Sequence, residues 1–365
     1  MKKFAKFMFA GASSLAFFHK ARWLAFTEEE NTKQRLVEKH FDNDLSELKL
    51  FSVTDQSELA HEIAFYLKTQ IGKLQVIRGN VDEKPIVNIM EDIHSKVIYL
   101  ICSFNPDQAS IKKSIDSLIT TIATMKGQSP CKVNVVLPYY GPSRHNGEES
   151  KDLPISEDEL SKLLEAAGAD KIVTVNMHDD HNAIPFHIPL VEVDAHQLCA
   201  SYFEKQKLKD LVIISTSEAL SDKVNEIKEK LEQGGTRVET GIVKGSNGSQ
   251  LDYIGESVKD RDVILVDNVV DSGKPLYNIS RFLKNKLGAK NIHVFAPHGV
   301  LSDETVEFLD YSPITELVIT NTLQLENSHM SSKIEQISVA KLLADLIAQS
   351  TFHKNLQELY QEEKI

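Results

Sequence analysis

The chain has 365 residues, of which 41% are hydrophobic and 26% charged. That length predicts two domains, and that composition excludes a wholly disordered chain and a polytopic membrane protein. The chain contains 41 Lys and Arg and 53 Asp and Glu, so its net charge is −12. This charge excludes nucleic-acid binding through a broad basic surface. The cysteines are too far apart for a zinc site or a disulfide framework, so we expect three buried small apolar side chains at Cys102, Cys131 and Cys199.

The first 27 residues differ in charge from the rest of the chain. They contain five Lys and Arg and no Asp or Glu, which leaves 36 positive and 53 negative side chains elsewhere. The uncharged stretch 7–18 is too short to cross a bilayer and matches a signal-peptide apolar region or a basic mitochondrial targeting segment. Apolar residues continue past Arg22, as in a helix at a membrane surface. We expect this head to target the protein to mitochondria, the alternative being a cytoplasmic protein, or to anchor it through Phe7, Phe9, Phe17, Phe18, Trp23 and Phe26.

After a polar linker, 28–47, apolar runs typical of strands buried on both faces alternate with amphipathic segments. The predicted strands are Val97–Cys102, Lys132–Leu137, Lys171–Val175, Leu211–Ile214, Asp262–Val266, Ile292–Ala296 and Leu317–Thr320. The predicted helices are Ser57–Leu67, Ser156–Ala167, Ser221–Leu231 and Leu276–Leu287. This alternation predicts an α/β fold of mostly parallel sheets flanked by helices. Two sheets fit the length, with an extension at 1–47, domains at 48–196 and 197–350, and a polar tail at 351–365.

The segment after Asp262–Val266 is the most informative, since open α/β sheets bind ligands beyond the carboxyl ends of their strands. Its carboxylates can bind ribose hydroxyls and Mg²⁺, and the amides at the following helix start can hold a phosphate. The residues concerned are Asp267, Asn268, Asp271, Ser272 and Gly273, followed by Lys274 and Pro275.

This loop resembles the phosphoribosyl-diphosphate binding loop of the type I phosphoribosyltransferase superfamily. From Leu48 to Ile347 the chain is similar in motif order and spacing to ribose-phosphate diphosphokinase, at Pro138–Gly141, Pro154–Ser156, Ala167–Asp170, His178, His298–Ser302 and Ser312–Thr322. The resemblance implies two tandem phosphoribosyltransferase-like domains and Mg²⁺-dependent transfer of a diphosphoryl group from ATP to ribose 5-phosphate. It also implies ATP contacts at Arg144 and His178, a metal contact at His178, and ribose 5-phosphate contacts in the loop 267–273.

Many residues that carry the family's chemistry are replaced here. The resemblance implies an ATP-binding segment with the sequence Arg-Gln-Asp-Arg-Lys. At the matching positions, 144–148, this chain retains only the first of its three positively charged residues, Arg144. Asn176 replaces an Asp, and 215–220 lacks the Asp and both glycines of Ser-Pro-Asp-x-Gly-Gly. Lys244 is a remnant of the catalytic flap, and Pro275 removes an amide from the phosphate cradle. Because removal of one such clamp commonly lowers a rate by about 10²–10³, these combined losses predict loss of turnover.

We therefore expect a non-catalytic structural or regulatory subunit of a larger assembly, or a partner of a catalytic homologue, that requires no cofactor. An active, divergent Mg²⁺- and ATP-dependent synthetase and a nucleotide or sugar-phosphate sensor without turnover remain the alternatives. Residues 178–181 have metal-ligand types, although a solvated loop is the alternative. For His298 we expect a hydrogen-bonded structural role, and for Lys274 an exposed position at a helix start.

Overall fold

In the computed structural model of the protein, the described residues are 47–53, 58–77, 84–103, 108–141, 157–177, 187–208, 210–245, 251–302, 304–325 and 331–353. The head, with its predicted anchoring side chains, lies outside them. Within these ranges, no helix combines the length and the apolar character that crossing a membrane requires.

The first sheet is entirely parallel. Its strands, in the order in which they pair, are β1 (Leu48–Ser52), β4 (Val97–Ile101), β5 (Lys132–Leu137), β6 (Lys171–Val175) and β7 (Leu190–Val193). The connecting helices are α1 (Glu58–Tyr66), α2 (Gln108–Lys126) and α3 (Glu157–Ala167). A separate antiparallel hairpin is formed by β2 (Leu74–Ile77) and β3 (Ile86–Ile89).

The second sheet is parallel except at one edge. Its strands, in pairing order, are β10 (Asp252–Gly255), β9 (Val238–Lys244), β8 (Leu211–Ser215), β11 (Asp262–Val266), β13 (Ile292–Ala296), β15 (Ile314–Thr320) and β16 (Ile334–Ile337). Only the β10–β9 pair within this sheet is antiparallel. Its helices are α4 (Gln197–Gln206), α5 (Ser221–Gln233), α6 (Lys274–Asn285) and α7 (Thr305–Tyr311).

Each sheet carries apolar cores on both faces, as continuous apolar strands require. Phe203 of α4 is buried with Leu211 and Phe295 of the second sheet, so α4 begins the second core. The last helix of the described residues, α8 (Ala340–Phe352), begins in the segment assigned to the second domain by sequence and ends two residues beyond it. Its buried face packs with Leu59 and Ile63 of α1 in the core of the first sheet. The chain therefore returns to its first sheet at its end.

The strand and helix predictions are confirmed within a few residues at each boundary, and the predicted α/β class is confirmed. Strands such as β1, β7, β9 and β16 were not predicted, because their sequences alternate or are short rather than forming continuous apolar runs. The cysteine prediction is wrong at one position. Cys102 and Cys199 are buried, whereas Cys131 is exposed because it lies in the bend that leads into β5.

Candidate functional site

Strand register places three polar segments at one edge of the second sheet. Ser215 at the end of β8 pairs with Ile242 of β9 on one side and with Val266 of β11 on the other. The residues that follow this row, Lys244, 216–220 and 267–273, therefore lie at the carboxyl edge. Adjacent strands are about 4.8 Å apart, so the ends of β9 and β11 are roughly 10 Å apart.

The loop 267–273 is held by its own backbone and by the next loop of the sheet. The amide of Asn268 donates to Oδ1 of Asp267 at 2.8 Å. Residues Val269–Val270 form β12, which pairs in parallel with β14 (His298–Gly299). The hydroxyl of Thr305 donates to the carbonyl oxygen of Asp271, and the amide of Ser302 donates to the same oxygen. The predicted ribose 5-phosphate residues thus form one ordered turn, in which Asp267, Asn268, Asp271 and Ser272 are half-buried and Gly273 is buried.

Gly273 begins helix α6 in the left-handed conformation, with φ +71°. A Cβ at this position would lie 3.2 Å from Cγ2 of Thr305, so both the backbone and the neighbouring side chain favour glycine. Lys274 is exposed at the first helical position, as predicted. Pro275 follows at the second position and supplies no amide there. The helix start can offer amides to an anion, but one of them is missing.

Lys244, which the resemblance matches to the family's catalytic flap, is held in an ion pair. Its Nζ lies 2.5 Å from Oε1 of Glu218, in the 3₁₀ turn that follows β8. The hydrogen bond and the charge of Lys244 lower the pKa of Glu218 from its ordinary value. Glu218 lies within 215–220, the segment that the resemblance matches to the family's Ser-Pro-Asp-x-Gly-Gly motif. The cation is present at this edge but already has an internal counter-ion.

At the carboxyl edge of the first sheet, Asn176 is buried within a polar network. Its Nδ2 donates to Oδ1 of Asp194 at 3.0 Å, and its Oδ1 accepts from the amide of Ala195 at 2.7 Å. Nδ1 of His196 lies 3.1 Å from the same Oδ1 of Asp194. The backbone of Asn176 is left-handed, with φ +31°, a conformation that Asn tolerates better than most residues. The side chain is thus directed into the protein at a position where the resemblance implies a ligand-binding carboxylate.

Asp194 joins this network to helix α5, which packs on the second sheet. Its Oδ2 lies 2.9 Å from Nζ of Lys223 on α5. Burial would raise the pKa of Asp194, but hydrogen bonds from His196 and Asn176, together with Lys223, hold it well below its usual range. The pKa of Lys223 is correspondingly raised by its hydrogen bond to Asp194. Sequence reasoning missed this cluster. A usable signal was the Asp194-Ala-His196 triplet directly after β7, a strand that was itself not predicted.

His298 also links the two sheets, which confirms its predicted structural role. Its Nε2 lies 2.9 Å from the carbonyl oxygen of Val175 and 2.8 Å from that of Asn176, at the end of β6. Its Nδ1 lies 2.8 Å from Oγ1 of Thr322. Two carbonyl oxygens at Nε2 require a proton on that nitrogen, which leaves Nδ1 to pair with the Thr322 hydroxyl. Its ring centroid lies 5.0 Å from that of Tyr139.

Two predicted ATP-site residues, Arg144 and His178, lie outside the described residues, as do 179–181 and the residues after Gly245 up to 250. His178 as a metal ligand therefore stays a prediction. Among the residues that the structure describes, no group of three or more His, Cys, Asp or Glu is close enough together to hold a metal ion. Mg²⁺ is commonly held by one or two carboxylates together with phosphates and water. Asp267 and Asp271 fit that role jointly with a bound phosphate, and not as a complete protein cage.

Comparisons with known proteins cover both halves of the chain. A family model described as the N-terminal domain of ribose phosphate pyrophosphokinase matches residues 48–168, and a phosphoribosyl synthetase-associated domain matches 236–361. A ribose-phosphate pyrophosphokinase from Clostridium perfringens is 30% identical over 325 residues, covering 88% of this chain and 100% of the relative. One from Oceanobacillus iheyensis is 28% identical, covering 83% and 93%. The crystal structure of phosphoribosylpyrophosphate synthetase from Mycobacterium smegmatis matches with a TM-score of 0.72 and 25% identity, covering 84% of this chain and 99% of that one.

Proposed function

The chain belongs to the ribose-phosphate pyrophosphokinase family, and from that premise we propose that it is a non-catalytic member, acting as a structural or regulatory partner in a larger assembly. The family reaction moves a diphosphoryl group from ATP to the 1-hydroxyl of ribose 5-phosphate. Such a transfer depends on cationic clamps, Mg²⁺ and positioning rather than on covalent chemistry by the protein. The proposal is that the chain retains the framework and not the full set of clamps.

The observation that carries this proposal is that the side-chain amide of Asn176 is hydrogen-bonded inside the protein. Its amide nitrogen and oxygen are both engaged, with Asp194 and Ala195. A neutral amide cannot replace the charge of a carboxylate toward a metal–nucleotide complex. Turning the side chain outward would also leave the buried amide of Ala195 without its hydrogen bond to Asn176. Pro275 supports the same proposal, because it removes an amide at the helix start where a phosphate would bind.

Turnover gives a direct test. Full-length protein is incubated with ribose 5-phosphate, ATP and Mg²⁺, and AMP is quantified by chromatography, with the Clostridium perfringens relative assayed alongside. We expect AMP at the level of the protein-free blank. Because several clamps are changed at once, the single reversion Asn176→Asp should also give none. AMP formation above blank by the wild-type protein would support the active-synthetase alternative and sink the proposal.

The loop geometry favours a second function, binding of a sugar phosphate or nucleotide without turnover. The left-handed Gly273 keeps the loop closed against Thr305, and the acids Asp267 and Asp271 stay half-buried within it. A ligand that binds only the folded state raises its apparent stability. Thermal unfolding with millimolar ribose 5-phosphate, ADP or ATP should then show an increased midpoint. Unchanged midpoints with all three would remove this candidate.

We also propose that the head carries the protein to its assembly, in mitochondria. Support comes from the charge pattern of residues 1–27, which hold five positive and no negative side chains. Deletion of residues 1–27 should release a tagged protein from the membrane or complex fraction. Unchanged co-sedimentation of the truncated protein would place the docking surface in the remaining chain instead.

A further inference from the structure

Lys244 lies at the edge of the sheet where ligands of this fold bind, and its ammonium is already paired with Glu218. Lys244 is the last residue of β9, and Glu218 begins the turn after the adjacent strand β8. The backbone next to each of these residues is anchored, because the neighbouring side chains of Val243 and Leu220 are buried in the second domain. The two side chains extend from these anchored positions and meet at 2.5 Å.

The negative charges at this edge make Lys244 important for the binding of any anion there. Asp267 and Asp271 of the neighbouring loop repel a phosphate unless a cation compensates them. Lysine serves as a flexible point charge for phosphate groups, and Lys244 extends two residues beyond the row that Ser215 and Ile242 define. Its ammonium is therefore placed to contact a phosphate that lies over the end of β8. Glu218 is placed at the same ammonium.

We propose that Glu218 acts as an internal competitor, which an incoming phosphate or diphosphate must displace from Lys244. This inference deepens the second candidate function and rests on the ligand binding that it proposes, not on the absence of turnover. It names a phosphate-bearing anion as the ligand class and Glu218 as the residue that sets its affinity. Lys244 and Glu218 remain 47% and 75% exposed, so water stabilises the displaced carboxylate and the competition is modest.

Titration calorimetry of the full-length protein with inorganic diphosphate, with Mg²⁺ and low salt, tests the proposal. Glu218→Gln removes the competing charge while keeping the side-chain shape. Exposed ion pairs are weak, so we expect its affinity to rise about two- to fivefold over wild type. Lys244→Gln should weaken binding, and the double variant should bind like Lys244→Gln alone. The gain from Glu218→Gln should shrink at high salt.

The matched control is Glu232→Gln on α5, a carboxylate also in an exposed pair, with Lys228 at 3.8 Å. It removes the same charge from the protein, so it corrects for net charge, and it should leave diphosphate affinity within error of wild type. Equal gains in the Glu218 and Glu232 variants, a gain that persists in the double variant, or no binding by wild type and Glu218→Gln alike would each overturn the proposal. AMP formation is read in a separate assay, so turnover would contradict the proposed function without deciding this inference.

Discussion

Replacing His298 with Ala tests the link between the two sheets. In the wild type, Nε2 donates to the carbonyl oxygens of Val175 and Asn176, and Nδ1 pairs with the Thr322 hydroxyl. All four residues are buried, with His298 only 1% exposed. The substitution therefore leaves two buried carbonyl oxygens without the ring N–H that they share, and it removes the ring that packs against Tyr139. The Thr322 hydroxyl loses its contact with Nδ1 but keeps Thr320 and the carbonyl oxygen of Pro297 within reach.

The expected loss can be built from these contacts. The shared donor at Nε2 and the contact at Nδ1 amount to two hydrogen bonds, each contributing about 1 kcal/mol. Leaving buried polar groups unpaired, and a void where the ring was, adds roughly 1–3 kcal/mol. We therefore expect His298→Ala to lower the free energy of unfolding by about 3–5 kcal/mol, the sum of those two contributions. Thr322→Val, which removes only the hydroxyl, should cost about 1 kcal/mol.

Urea unfolding followed by circular dichroism measures these losses, with His94→Ala as the matched control. His94 is exposed in the turn before β4, so its substitution should change stability by less than about 0.5 kcal/mol. The double variant His298→Ala, Thr322→Val should lose less than the sum of the single losses, because the shared hydrogen bond is removed only once. A His298→Ala midpoint equal to that of His94→Ala, or full additivity in the double variant, would refute the reasoning.

Two further predictions concern Asp194 and Gly273. The folded pKa of Asp194 is lowered, so its network should stabilise the protein above the unfolded carboxyl pKa, about 3.9, and lose that stabilisation as the pH falls below it. Asp194→Asn should lower stability at neutral pH by about 2 kcal/mol and flatten its acid dependence in urea titrations; an unchanged acid profile would contradict this. Gly273→Ala should cost about 1–2 kcal/mol in the same assay, from a left-handed backbone and the contact with Thr305. Gly235→Ala, also left-handed but with nothing within 4 Å of its added Cβ, should cost less, and equal costs would exclude a role for that contact.

Long apolar runs carried most of the fold prediction. Lys132–Leu137 is apolar at four of its six positions, and in the structure β5 pairs with a parallel strand on each side and is buried on both faces. A strand in that position has no solvent face, so its sequence shows no alternation to obscure it. β7 does not form a continuous apolar run and was therefore not predicted, because Glu192 interrupts Leu190–Val193 and the strand lies at the sheet edge. Because β7 was not predicted, Asp194 and His196, which directly follow it, were not recognised as residues at the carboxyl end of a strand.

Local sequence also located the loop 267–273. Its acids, glycine and helix start follow one strand directly, so no long-range contact was needed to find them. The structural role of His298 followed from the same kind of motif, and the structure supplied its partners on β6. By contrast, nothing adjacent in sequence indicates that Lys244 contacts Glu218, 26 residues earlier, because their meeting depends on β8 and β9 being neighbours.

The sequence by itself determined the α/β class, the buried strands and the loop that identifies the family, because each depends on residues close together along the chain. Tertiary structure alone decided how the remaining polar groups are used. Asn176 faces inward because Asp194 and Ala195, which directly follow β7, lie beside it, and Lys223 joins that site from helix α5. Hydrogen bonds and ion pairs act over about 3 Å, so their partners are set by strand order and register, which bring distant residues to one edge.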